Sequence, residues 1–319
     1  ARQRIKEMDE REKYLESRKA GIRSNIQIYR LSPEQYKDVS LLAVDSSCDM
    51  MTKDQFGKNL FCTVVQPVTY SPDRRLLELG AMIRYNSIMD QDSIDFMYEY
   101  MDPSAYLTAY ALCLELVHAH RLAGSYRHTL MDGSIVTFIT KLNQAYQFAS
   151  KHRNEYTEAF LSEYPEILKA LIELVEYYGA VFIPKTSNRD EFKTHYNLTD
   201  IPFSDGEILI RILDNGEYVV VPIKRYEYFL PEAKDVPVKD FFNTVNSKFQ
   251  IVYFKSPTGR LHRIEIMSDS IHRVMEGIAQ TFVLKGENLL IYEADRLAKK
   301  KLGTLQGYNP LKPFWGYRL

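Results

Sequence analysis

Asp45, Glu115 and Asp132 are acids set in apolar or turn-forming sequence, and the chemistry they could share is the binding of a divalent cation. The stretch "LLAVDSS" runs from Leu41 to Ser47 and puts Asp45 at the end of four apolar residues. Glu115 lies among Leu112, Leu114, Leu116 and Val117, and Asp132 precedes a Gly-Ser in "MDGS". Burying any one of them ionised would cost several kcal/mol without a partner. Burying three in one region makes sense if a cation neutralises them. Carboxylates on rigid elements suit Mg²⁺ or Mn²⁺, and two such ions about 4 Å apart can activate a water and stabilise the leaving oxygen in phosphodiester cleavage. The chemistry to expect is that of a nuclease.

Each acid has a plainer reading when taken alone. Asp45 before Ser46 could cap a helix or a turn. Glu115 could emerge on a polar stripe with His118 and Arg121, and "DGS" is a common turn. A fourth acid is available in "LIYEADRLAKKK", where Glu293 and Asp295 precede Arg296, Lys299, Lys300 and Lys301. That segment reads either as a surface helix whose early acids and late bases match its dipole, or as a helix that brings Asp295 to the metal and its basic end to phosphate. Lys185 in "VFIPKTS" stands at a strand end beside Thr186 and Ser187, where it could neutralise a phosphate oxygen or simply be a solvated loop lysine. His118 and His120 are two apart, so a helix points them in different directions and they make a poor pair of ligands. Arg263 and Glu265 share one face of an alternating strand and read as a structural pair. Tyr292 could stack on a base but reads better as packing.

The elements that must position these groups follow from periodicity. Strands are expected at 41–45, 59–66 and 76–85, then a helix apolar nearly all round at 105–122, then a strand at 127–132 followed by the apolar run "IVTFI". Helices are expected at about 140–161 and from Pro165, at a first-turn position, to Tyr178. "AVFIPKTS" reads as a buried strand. "EILIRIL" and "EYVVVPI" flank "DNG" and predict a hairpin, as do "QIVYF" and "LHRIEIM" around "KSPTG". Helices at about 269–280 and 289–301 follow, then an irregular aromatic tail. Residues 1–28 are charged, with Ile5, Met8, Tyr14 and Leu15 at roughly helical spacing. They read as an exposed amphipathic arm, either solvated or a docking surface for a partner.

Composition sets the limits. Of 319 residues, 45% are hydrophobic and 26% charged, enough for a substantial core. Forty-one Lys and Arg against 42 Asp and Glu leave a net charge of −1, so contact with nucleic acid must come from local basic patches. Cys48, Cys62 and Cys113 are widely spaced and form no Cys-x-x-Cys, which argues against a thiolate zinc site or a disulfide framework and points to a reducing, cytoplasmic setting. No apolar run approaches the roughly 20 residues of a membrane span. With no internal repeat and no low-complexity linker, residues 29–319 are expected to form one domain with insertions.

Strand acid, helix acid, strand acid and late helix acid, in that order, resemble the ribonuclease-H-like nuclease core. Within that superfamily the chain resembles the NurA nucleases from about Leu41 to Lys300. The pieces that carry the resemblance are "LLAVDSS", Glu115 followed seventeen residues later by Asp132 in "MDGSI", "VFIPKTS", "TDIPFSDGEILIRIL" and "HRIEI". It implies an α/β fold, a ribonuclease-H-like mixed sheet flanked by helices with helical and hairpin elaborations. It also implies Mn²⁺- or Mg²⁺-dependent cleavage of DNA, as single-strand endonuclease and 5′-to-3′ exonuclease, in end processing for repair or in defence against mobile DNA. The partners it implies are a second copy in a homodimer and a HerA-like hexameric ATPase. Carried over by position, the metal set is Asp45, Glu115 and Asp132, with Lys185 as a phosphate ligand. The C-terminal block departs from the family pattern: Asp295 stands where relatives carry His, and Glu287 where they carry Tyr. That departure keeps open a second reading, a noncatalytic subunit that clamps DNA or caps a motor ring.

Overall fold

The computed structural model describes residues 2–53, 59–73, 75–88, 103–151, 153, 155–185, 190–223, 230–233, 236, 238–267, 271–282 and 287–307. Along the chain these form α1 (Arg2–Asn25), β1 (Ile28–Arg30), β2 (Leu41–Lys53), β3 (Asn59–Tyr70), β4 (Leu76–Glu78), β5 (Met82–Ile88), α2 (Pro103–Ala123), β6 (His128–Asp132), α3 (Ile135–Lys151) and α4 (Glu155–Glu176). There follow β7 (Val181–Ile183), α5 (Glu191–His195), α6 (Asp205–Ile212), β8 (Glu217–Pro222), α7 (Val238–Lys248), β9 (Phe249–Lys255), β10 (Leu261–Met267), α8 (Ile271–Ile278) and α9 (Leu289–Gly307). Packing divides the chain into two compact units, one from Ala1–Lys37, Phe182–Tyr226 and Thr244–Leu289, the other from Asp38–Val181, Glu227–Asn243 and Leu290–Leu319. The aromatic tail, Thr186 and Ser187 lie outside the described residues.

The second unit holds the three acids. Its strands run β6-β2-β3-β4, and β5 pairs with β3 beside β4. β2 is parallel to β6 and antiparallel to β3. A central strand is covered on both faces, which is why Leu41 to Val44 are uninterrupted apolar residues, all buried. Helix α2 packs on β2, α3 and α4, as its apolar circumference anticipates. The stretch expected as one strand at 76–85 is two, β4 and β5, parted at Leu79–Ala81.

Two helix boundaries in this unit differ from expectation. "IVTFI" opens α3: Ser134 caps it through its hydroxyl, which accepts from Val136 N–H at 3.2 Å, and Gly133 before it adopts a φ of 122°, open to a residue without Cβ. Ile135, Phe138, Ile139 and Leu142 then fall on one buried stripe, a helical period that the short apolar run concealed. Pro165 lies inside α4 rather than at the start of a helix. Phe160, Tyr164, Ile167, Leu168 and Leu171 make one buried stripe through it, and their burial outweighs the roughly 3 kcal/mol cost of an interior proline.

His128 begins β6 and is buried. Its burial, reinforced by the neighbouring Arg127 charge and opposed by a hydrogen bond with the Gly179 backbone, lowers its pKa from 6.5 to about 4. The unfolded chain therefore binds the extra proton first, and stability is lost as pH falls from 6.5 towards 4, by roughly 3 kcal/mol at most. Chemical denaturation of His128→Asn at pH 7 and pH 4.5 should show a smaller loss between the two than the wild type does.

The first unit has the antiparallel order β1-β8-β9-β10. The β9–β10 hairpin forms as expected, in the register Lys255 to Leu261 through Phe249 to Met267. The hairpin expected from "EILIRIL" does not. Those residues form α6, because Ser204 and Glu207 make a reciprocal capping box at its start and Ile208, Leu209 and Ile212 fall on one buried face. "DNG" is instead the turn from that helix into β8, with Gly216 at φ 84° and the Leu31 carbonyl so close that a Cβ would meet it at 2.9 Å. The N-terminal arm is helical, but its second half is not a free surface. Leu15 and Ile22 are buried, and Glu12, Arg18 and Arg23 pair with Arg211, Asp200 and Glu217.

Arg263 and Glu265 do pair, and Arg263 also reaches Glu191 at 3.1 Å, all three buried. Tyr253 Oη donates to Glu191 and to Asp205 at 3.3 Å, and Asp205 accepts the N–H groups of Phe192 and Lys193 at the start of α5. A fixed internal charge network thus ties α5 to the hairpin.

Candidate metal centre

Strands β2 and β6 reach their shared end side by side. Their parallel register pairs Ala43 with Leu130 and Val44 with Met131, and the next residue on each strand is an acid, Asp45 on one and Asp132 on the other. This is the end of parallel strands at which open α/β sheets place their ligands. β6 finishes at Asp132, whereas β2 continues along β3 to Lys53.

Glu115 joins them from the middle of α2, the helix packed on β2. It is 1% exposed and Asp45 7%. Ser46 lies between the two carboxylates: its backbone N–H donates to Asp45 Oδ1 at 2.7 Å and its hydroxyl to Glu115 Oε1 at 2.5 Å. The other oxygen of Glu115, Oε2, is buried with no hydrogen-bond partner among the described residues. Burial pushes the Glu115 carboxyl well above the ordinary carboxylate range. The negative charge of Asp45 adds to this, Asp132 adds less, and the donors of Ser46 oppose it. The three acids are thus near enough to feel one another.

The set fits a hard cation. Its donors are oxygens, its charge is in excess, and one carboxylate oxygen is buried without a partner. Burial raises the nearby Cys48 thiol to about 11, with Asp49 and Glu115 reinforcing it, and a soft sulfur is in any case a poorer ligand for a hard cation than these carboxylates. Among the described residues no three His, Cys, Asp or Glu side chains already converge on one point as ligands. With Oε1 of Glu115 turned onto Ser46, the acids are neighbours and not yet a closed cage.

The face of the sheet carrying Asp45 is covered by α9. Ala298 and Leu302 pack on Cys62 and Val64 of β3, whose cross-strand partners on β2 are Asp49 and Ser47. Gln66 is the next residue on that face of β3 and stands directly opposite Asp45. Its side-chain amide donates to the carbonyls of Pro67 and Leu79 at 2.7 and 2.9 Å, and its oxygen accepts from Lys301 Nζ at 2.6 Å. Sequence reasoning missed Gln66 and read Lys301 only as part of the basic end of α9. The available signal was a lone amide at the end of the apolar run "NLFCTVVQ".

Asp295 is on α9, with its carboxylate paired to Lys299 at 2.7 Å. Glu293 pairs with Arg296 in the same way, so this helix carries the charge pattern of a self-paired surface. Tyr292 is exposed. Lys185 is an exposed residue of the first unit, two positions after β7. The structure therefore brings Asp45, Glu115 and Asp132 together, engages Asp295 with Lys299, and leaves Lys185 on the other unit.

No protein-family model matches the chain, and no curated protein sequence does. Among solved structures, the NurA nuclease from Sulfolobus solfataricus superposes with a TM-score of 0.60 at 13% identity, covering 100% of this chain and 96% of that one. The chain has a NurA-like fold. A NurA structure bound to dAMP and manganese gives a TM-score of 0.51 at 12% identity, covering 92% of each chain. The NurA-like fold here is the expected mixed sheet flanked by helices, shared at only 12–13% identity.

Proposed function

We propose that this protein is a metal-dependent DNA nuclease of the NurA type. The observation that carries the reading is the placement of Asp45 and Asp132 at the ends of adjacent parallel strands, near enough to the buried Glu115 to disfavour its charged form. The NurA structure holding dAMP and manganese supports both the substrate class and the ion. Asp45, Glu115 and Asp132 would hold Mn²⁺ or Mg²⁺, which when bound activates a water and stabilises the leaving oxygen of a phosphodiester.

The remaining roles belong to the chain's own residues. The apolar run Leu41 to Val44, with Met131 beside it, walls the acids from solvent on the strand side. Burial and the neighbouring acids disfavour the charged form of Glu115, a cost that a bound cation would offset. Lys185 would neutralise a phosphate oxygen, and Asp295 would join the set by giving up Lys299. On this reading the protein processes DNA ends as a homodimer working with a HerA-like hexameric ATPase, by two-metal hydrolysis, with single-strand endonuclease and 5′-to-3′ exonuclease activity.

Fluorescent single- and double-stranded DNA incubated with the protein and Mn²⁺ should be cut, and EDTA should stop it. Asp45→Ala should cut at least about a hundredfold more slowly, since losing even an outer partner of a metal ligand costs 10- to 100-fold. Equal cleavage by the two proteins, alone or in complex with the ATPase, sinks the proposal.

A further inference from the structure

We infer that Ser46 is a positioning residue of the metal centre, its hydroxyl fixing Glu115 so that Oε2 is the oxygen left for the cation. The inference rests on the nuclease reading above and deepens it. Successive side chains of a strand point to opposite faces, so residue 46 of β2 turns towards α2 while residue 45 belongs to the face under α9. Ser46, the residue after Asp45, is the one whose side chain bonds Glu115 from the strand. A serine there has two donors, and both are used: the N–H on Asp45 Oδ1 at 2.7 Å and the hydroxyl on Glu115 Oε1 at 2.5 Å.

The two donors do different work. Every residue but proline would supply the N–H, so the contact to Asp45 survives substitution. The hydroxyl is particular to Ser and Thr. A glutamate has three side-chain torsions to fix, and a helix alone does not fix them. With Oε1 held by the hydroxyl, the carboxylate plane is set and Oε2 is the oxygen that stays unpartnered in the buried space. Metal ligands are commonly oriented by such outer partners, whose loss weakens binding 10- to 100-fold. Serine is also small enough to stand between two carboxylates without filling the space that a cation would need.

The test is Mn²⁺ binding to the full chain by titration calorimetry, with thermal melts in EDTA to confirm folding. Wild type should bind, and Asp45→Asn should not. Ser46→Ala, which keeps the N–H and loses the hydroxyl, should bind about 10- to 100-fold more weakly, and Ser46→Cys, a poor donor of similar size, should behave the same way. Ser46→Thr should return to within about threefold of wild type, because it restores the hydroxyl. The thermal melt in EDTA should move little across the three. Affinities within twofold of wild type for both Ser46→Ala and Ser46→Cys would overturn the positioning role while leaving the metal centre standing. Should Ser46→Ala fail to fold, the contrast between Ser46→Cys and Ser46→Thr decides. Absence of binding to wild type would overturn the metal centre, and the role of Ser46 with it.

Discussion

Replacing Glu115 by Gln is expected to abolish metal-dependent cleavage and, in the same protein, to raise the stability of the metal-free fold at neutral pH. The two effects share a cause. Glu115 is buried at the ends of β2 and β6, and burial, Asp45 and Asp132 all disfavour its charged form. Its folded-state pKa is raised, so the native protein holds the proton more tightly than the unfolded chain does. The contribution of Glu115 to the stability of the metal-free protein is then greatest below the ordinary carboxylate range and falls as pH rises above it. Gln has no such titration, and its amide can still accept from the Ser46 hydroxyl. Thermal melts in EDTA should show the variant gaining on the wild type from pH 5 to pH 8. Added Mn²⁺ should raise the melting temperature of the wild type and leave that of the variant where it was. Cleavage should fall by at least about a hundredfold. A variant that loses stability in EDTA across the whole pH range would contradict the electrostatic account of this site.

Replacing Arg263 by Met should be far more damaging to the fold, and for the opposite reason. Arg263 is the cation between Glu191 and Glu265, and all three side chains are buried. Removing it takes away the buried cation that both carboxylates contact, a change that typically costs about 3–5 kcal/mol. A fall in melting temperature on the order of 10 °C is expected in the first unit. The triple change Arg263→Met with Glu191→Gln and Glu265→Gln should recover most of it, because amides do not require the cation. Failure of the triple change to recover would mean that Arg263 acts through packing and not through charge.

These two buried groups of acids separate the work of holding a fold from that of holding an ion. In the first unit the chain supplies its own cation. In the second, Glu115 has a hydroxyl on one oxygen, no hydrogen-bond partner on the other among the described residues, and two negative neighbours. An ion that neutralises them would stabilise the protein as it prepares it for chemistry.

Much of this was legible in the residues. "LLAVDSS" announces a buried strand with a charge at its end, and the all-round apolar character of 105–122 announces a buried helix with Glu115 inside it. The β9–β10 hairpin was legible because strict alternation on both sides of a Gly-containing turn has few other readings. "EILIRIL" was misread because its β-branched residues and the following "DNG" outweighed the capping box that Ser204, three residues upstream, makes with its first residue, Glu207. "IVTFI" and Pro165 misled for a related reason: short apolar runs do not fix a period, and a proline's local cost is small beside a continuous buried stripe. The contacts of Ser46 and Gln66 could not be read at all, since each depends on a partner brought in from α2 or α9, 69 and 235 residues away.

The cover that α9 lays over the Asp45 face has a consequence in time as well as in space. During synthesis β2, α2 and β6, with all three acids, leave the ribosome long before Ala298, Lys301 and Leu302 exist to close over Cys62, Val64 and Gln66. The three acids are thus made early and their roof late. A nascent chain passes through a period in which that face of the sheet is bare, and the last described helix is the part that ends it.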